Sequence, residues 1–131
     1  VLPFMSAGSR IIQFASAAAF VPQPGFAVYA ATKSFVLSYS RALTAELKEK
    51  KIVVTAVCPG PVETEFFDES GFSDSFTKES IMVRAKDVVT QALLDSRDKK
   101  DMSVYGALMK GAEAAAKVLP HKLIMKVMDK I

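Results

Sequence analysis

Tyr29 and Lys33 stand at i and i+4 in Tyr29-Ala-Ala-Thr-Lys33, so on a helix they share one face about one turn apart. An ammonium held that close favours the tyrosinate over the phenol and makes the phenol a usable proton donor and acceptor near neutral pH. Alone, the pair is equally an ordinary surface pair. Ser16 lies thirteen residues upstream, and Cys58-Pro59-Gly60-Pro61-Val62-Glu63-Thr64 follows downstream. Singly, Ser16 reads as a turn or helix cap, and Pro59-Gly60-Pro61 as a strand stop. Taken together, the three favour a catalytic site built on proton exchange.

Such groups need elements to bring them together. Arg10 to Ala15 is a short apolar run without helical period and reads as a buried strand, preceded by a helix end with Gly8 as its cap. Residues 17–28 are a loop of small residues, Pro and Gly. Tyr29 to Lys50 carries a helical pattern, with Phe35, Ala42 and Leu43 spaced to face a core. Ile52 to Val57 is a second buried strand, ended by Pro59-Gly60. Residues 65–82 mix Phe66, Phe67, Phe72 and Phe76 with serines and acids, as a loop and short helix would. Ala85 to Leu94 is helical and Met102 to Tyr105 a last strand. Gly111 to Lys130 is a lysine-dotted helical tail broken at Pro120. Alternating apolar strands and helices imply parallel pairing with helices on the faces, and ligands then bind beyond the carboxyl ends of the strands. That rule puts Ser16 and the Pro59-Gly60 turn at one edge, with Tyr29 just across the loop. Three strands alone would leave a long exposed sheet edge.

Composition fits a soluble globular chain, 50% hydrophobic and 24% charged, with no apolar run near the ~18 residues of a membrane span. No export leader is visible, although the sequence starts at Val1 rather than methionine. The lone Cys58 sits in an apolar strand and reads as a reduced, buried thiol, so a cytoplasmic setting is expected. No cluster has metal-ligand spacing, and His121 has no partner residues. The net charge of +3 is uneven: residues 1–98 carry 10 basic and 11 acidic side chains, whereas 99–131 carry 7 lysines against 3 acids. The basicity belongs to the tail, so the body offers no nucleic-acid surface. In that tail Leu119, Leu123, Ile124, Val127 and Met128 oppose Lys117, Lys122, Lys126 and Lys130. This amphipathic helix is expected to pack on the domain or a neighbouring subunit rather than on a membrane.

The stretch Ile11-Ile12-Gln13-Phe14-Ala15-Ser16-Ala17-Ala18-Ala19, then Pro22-Gln23-Pro24, then Tyr29 to Val36, resembles the catalytic half of a short-chain dehydrogenase/reductase. The resemblance continues through Ala45-Glu46-Leu47-Lys48 and Ile52 to Val57 to the Pro59-Gly60-Pro61-Val62-Glu63-Thr64 turn. It is tight over residues 11–64 and looser beyond. It implies a Rossmann-like, doubly wound α/β fold of which the C-terminal half is present, about three strands with flanking helices. Residues 1–111 would form that half-domain and 112–131 the helical tail. It further implies an oxidoreductase moving a hydride between NAD(P), NADP favoured, and a small-molecule carbonyl or secondary alcohol. Tyr29 would be the general acid/base. Lys33 would lower the Tyr29 pKa and bind the nicotinamide ribose, and Ser16 would hold the substrate oxygen. Pro59, Gly60, Val62 and Thr64 would hold the nicotinamide side of the cofactor, together with Tyr29 and Lys33. The phenylalanines of 66–76 fall where the family carries a lid over the substrate. Gln13 and Ala15 depart from the Asn and Ser common before the catalytic serine, but Ser16 itself is kept.

No glycine-rich phosphate loop occurs in the sequence, and the family's supporting asparagine would lie upstream of Val1. The chain is therefore expected to be a fragment, inactive by itself and active when complete. The other reading is a truncated relic or interaction module that keeps the motif without binding cofactor. The complete protein is expected to be a homo-oligomer joined through the Tyr29–Lys50 helix. There Phe35, Leu37, Tyr39, Ala42 and Leu43 spread apolar surface over more than one face. Substrate identity, NAD against NADP, reaction direction and oligomer size stay open at this stage.

Overall fold

The computed structural model describes residues 1–63 and 82–128. Three parallel strands form the sheet in the order β1 (Arg10–Phe14), β2 (Val53–Val57), β5 (Met102–Ser103). β1 and β2 align Arg10 with Val53 through Phe14 with Val57, and β5 pairs at Ala56 and Val57. A parallel pair needs a crossover, and α1 (Ala27–Glu46) supplies it between β1 and β2. After β2 a two-residue strand, β3 (Val62–Glu63), pairs in parallel with β4 (Val83–Arg84), which leads into α2 (Ala85–Arg97). α3 (Ala107–Val118) and α4 (His121–Met128) close the chain, separated at Pro120.

The period of two in β2 distributes the core. Val54, Ala56 and Cys58 face α1, packed with Leu37, Leu43 and Leu47, whereas Val57 faces α2 and packs with Val88 and Ala92. Helices therefore cover both faces of the central strand, the doubly wound arrangement that continuous apolar strands imply. Cys58 is fully buried, and that burial pushes its thiol up to about 11, so it is a core residue and not a nucleophile.

Most expected elements are present, with shifted ends. α1 runs from Ala27 to Glu46 rather than 29–50, α2 continues to Arg97, pairing in β5 stops at Ser103, and the tail helix starts at Ala107. Before β1 the chain makes a 3-10 turn at Leu2–Phe4 whose cap is Met5, extended, rather than Gly8; Gly8 has φ +90 but donates to Lys51 O instead. One expectation on α1 is corrected. Leu43 is buried, but Phe35 is 70% exposed and Ala42 is exposed too. The face turned to the sheet is Ala30, Leu37, Ser40 and Leu43. On that face Leu37 packs with Ala56 and Leu43 with Val54, and Phe35 falls on the outer side. No helix among the described residues is long and apolar enough to cross a membrane.

Candidate active site

The carboxyl ends of β1 and β2 are stitched together beyond the strands. Ala15 N–H donates to Val57 O at 2.9 Å, and Ala17 N–H donates to Pro59 O at 2.8 Å. Ser16, extended and almost buried, is thereby held against the Pro59-Gly60 turn. Its Oγ accepts the Ala18 N–H at 3.1 Å and so caps the 3-10 turn at Ala17–Phe20. The cap reading of Ser16 is thus correct, and it does not compete with the chemical one. Accepting a bond uses a lone pair, and the hydroxyl keeps its own hydrogen to donate.

Tyr29 and Lys33 lie in the first two turns of α1, which enters the site from the Pro- and Gly-punctuated loop. The Lys33 ammonium sits 5.7 Å from the centre of the Tyr29 ring and donates to Phe14 O, the last carbonyl of β1, at 3.1 Å. The lysine therefore spans the gap between the helix carrying the tyrosine and the strand end leading into Ser16. A second tie runs from Ser34 Oγ to Ala19 O at 3.1 Å, fixing the helix to the 3-10 turn that Ser16 caps. Tyr29 and Lys33 are both half-buried, so their polar ends lie at a surface rather than in the core.

The structure thus brings Ser16, Lys33, Tyr29 and Pro59 into one region at the carboxyl edge of the sheet. Gly60 follows in the same turn, against Met109 of α3, and Val62 pairs with Val83 in the small β3–β4 ladder. Thr64 and the phenylalanines at 66, 67, 72 and 76 lie outside the described residues. An open apolar hollow of about 670 Å³ lies between residues 19–24 and the α1 side chains of Ala27, Ala30, Ala31 and Ser34. Neither Ser16, Tyr29 nor Lys33 lines it, so it is separate from this region. Sequence reasoning missed three participants: the Phe14 carbonyl, Ser34 and Met109. A carbonyl carries no residue-type signal, and Met109 is distant in sequence. Ser34 had only its position beside Lys33 to mark it.

The sequence profile of the short chain dehydrogenase family matches residues 1–73, more than half of the chain. The chain belongs to the short-chain dehydrogenase family. Its sequence is 43% identical over 63 residues to the uncharacterized oxidoreductase YghA of Escherichia coli (strain K12), covering 48% of this chain and 21% of that protein. It is 34% identical over 96 residues to sulfoacetaldehyde reductase 2 of Chromohalobacter salexigens, covering 67% of this chain and 38% of the relative. Among solved structures, a short-chain dehydrogenase from Sphingobium yanoikuyae in complex with NADPH superposes with a TM-score of 0.66. It is 26% identical and covers 89% of this chain and 44% of its own. One from Burkholderia cenocepacia, in complex with NADP, reaches a TM-score of 0.75 at 21% identity, covering 92% and 47%. That likeness shows the fold, a Rossmann-type half-domain. The chain spans less than half the length of these relatives.

Proposed function

We propose that this chain is the catalytic half of an oxidoreductase that reduces a carbonyl compound, or oxidises the corresponding secondary alcohol, with a nicotinamide cofactor. The observation that carries the reading is the position of Lys33, between the Tyr29 ring and the Phe14 carbonyl, one strand end from Ser16. The residues present fit the nicotinamide end of such a cofactor. The Lys33 ammonium has three donors, and the bond to Phe14 O uses one, leaving donors for ribose hydroxyls. The Pro59-Gly60 turn presents backbone at the carboxyl edge, where ligands of open α/β sheets bind. NADP is preferred to NAD in this reading, on the strength of the relatives solved with NADPH or NADP.

In this mechanism the cofactor supplies or accepts the hydride. The residues of the chain do the rest. The Ser16 hydroxyl donates to the substrate oxygen and orients its carbon, with the serine's own position fixed by the Ala18 and Pro59 bonds. Tyr29 gives a proton from its phenol to that oxygen in reduction and takes it back in oxidation. Lys33, tied to Phe14 O, holds its charge 5.7 Å from the centre of the Tyr29 ring. In this reading residues 1–111 belong to the half-domain and residues 112–131 to its tail. A cytoplasmic setting is part of the reading, supported by the buried thiol of Cys58.

The test is a spectrophotometric assay of the full-length protein with NADPH and a panel of ketones and aldehydes. Cofactor-dependent loss of NADPH absorbance that disappears in Ser16→Ala is expected. Full-length protein that binds no NADPH and turns over no member of the panel would favour the interaction-module reading.

A further inference from the structure

Gly60 follows β2 in the turn that the proposed function assigns to the cofactor. Glycine is often needed at such a place because the backbone is left-handed, but here it is not: the glycines with positive φ are Gly8, Gly25 and Gly106. What crowds Gly60 is a side chain. A Cβ at this position would lie 2.7 Å from Met109 Sδ and 2.9 Å from Met109 Cγ, well inside contact distance. Met109 reaches there from α3, on the half-buried face it shares with Glu113 and Ala116. It also packs on the core cluster of Ala15, Ala56, Cys58 and Val104, as do Ala19 and Phe20 of the turn capped by Ser16. Pro59, one residue before Gly60, accepts the Ala17 N–H. A continuous line of contact therefore runs from the Met109 thioether through the Pro59-Gly60 backbone to the segment holding Ser16.

We propose that Met109 is a positioning residue whose side chain seats the Pro59-Gly60 turn, and that a side chain at position 60 is opposed by Met109, which must shift to admit it, rather than by a bound dinucleotide. The catalytic part of this inference rests on the proposed function; the packing part does not. Removing the thioether leaves a hollow under the turn, and a methyl group on residue 60 points into that hollow. The two changes therefore compensate. Methionine is flexible enough to yield partly to a methyl group, whereas leucine is stiffer at a similar volume.

The experiment uses the full-length protein with two readouts: hydrogen exchange at the Ala17 amide without cofactor, and NADPH affinity by fluorescence titration. Met109→Ala is expected to speed Ala17 exchange and weaken NADPH binding, each about tenfold, a typical coupling for residues in contact. Gly60→Ala alone is expected to do the same. The double variant Gly60→Ala/Met109→Ala should return both quantities most of the way to wild type. If Met109→Ala does not fold, Gly60→Ala/Met109→Leu decides, and it should be worse than Gly60→Ala alone. Gly60→Ala weakening NADPH equally with methionine or alanine at 109 would overturn the proposal, because the cofactor would then demand the glycine. Unchanged Ala17 exchange in Met109→Ala would overturn it as well. Wild-type protein that fails to bind NADPH refutes the proposed function instead, and Ala17 exchange still decides the role of Met109.

Discussion

At the level of single residues, the sequence reveals side chains and hides backbone partners. Ser16, Tyr29 and Lys33 were legible because a hydroxyl, a phenol and an ammonium at those spacings have a joint chemical use. The Phe14 carbonyl and the Ala17–Pro59 bond that hold them were not, because every residue carries the same amide. Tyr29→Phe in the full-length protein keeps the ring packing and removes the transferable proton. Turnover is expected to fall by ~10² to 10⁴, with NADPH binding retained; loss below tenfold would remove Tyr29 from the mechanism. Asp95 is a residue that sequence reading did not single out. It is 4% exposed and receives hydrogen bonds from Gln91, from Lys100 at 2.7 Å and from Ser103 at 2.7 Å. Burial alone would raise its carboxyl, but the hydrogen bonds from Lys100, Ser103 and Gln91 outweigh burial and hold it below the ordinary range. A lowered folded value means that this carboxylate stabilises the fold above its unfolded pKa of ~3.9 and ceases to as pH falls through the folded value. Asp95→Asn is therefore expected to cost about 1–3 kcal/mol at pH 7 in urea unfolding. The gap to wild type should narrow below about pH 4.

At the level of elements, existence was easier to read than phase. The α1 segment has apolar residues on nearly every side, so its period announces a helix without saying which stripe meets the sheet. Phe35 and Ala42 were assigned to the core for that reason, and only the burial of Ala30, Leu37, Ser40 and Leu43 resolves the rotation. The outcome leaves Phe35 70% and Tyr39 48% exposed, their rings stacked with centres 6.2 Å apart, beside Val28 at 80%. A stacked aromatic pair on an outward helix face supports the homo-oligomer reading, with a second copy of the same helix covering it. Phe35→Glu in the full-length protein should therefore halve the mass seen by light scattering while leaving the melting temperature of the resulting subunit within a few degrees. Wild-type protein that is already monomeric at micromolar concentration would defeat this. Such a substitution at buried Leu43 would instead unfold the protein, because that residue sits in the core with Leu47 and Val54.

At the scale of the molecule, the burial of the strands describes what this half-domain has and what it lacks. β2, with a neighbour on either side and a helix on each face, is buried from Val54 to Val57; β1, at the edge of the described sheet, is exposed at Arg10 and Phe14. Parallel pairing and the helical cover were legible from alternating apolar runs, because crossover helices follow from that alternation, whereas the strand order was not. A dinucleotide needs more than this sheet provides. Its pyrophosphate is usually cradled by backbone amides of a glycine-rich loop at a helix N-terminus, and the 131 residues contain no such loop. In the proposed function, Ser16, Tyr29, Lys33 and Pro59 would meet only the nicotinamide end, a small part of the total contact. Residues 1–131 expressed alone should therefore bind NADPH more weakly than millimolar in calorimetry, and should associate through the open side of β1 in sedimentation velocity. The full-length protein should bind NADPH in the micromolar range and sediment as a discrete oligomer. A monodisperse 131-residue monomer with micromolar affinity would mean that the strand ends of β1 and β2 recognise the cofactor unaided, and the division of labour argued for this fold would be wrong.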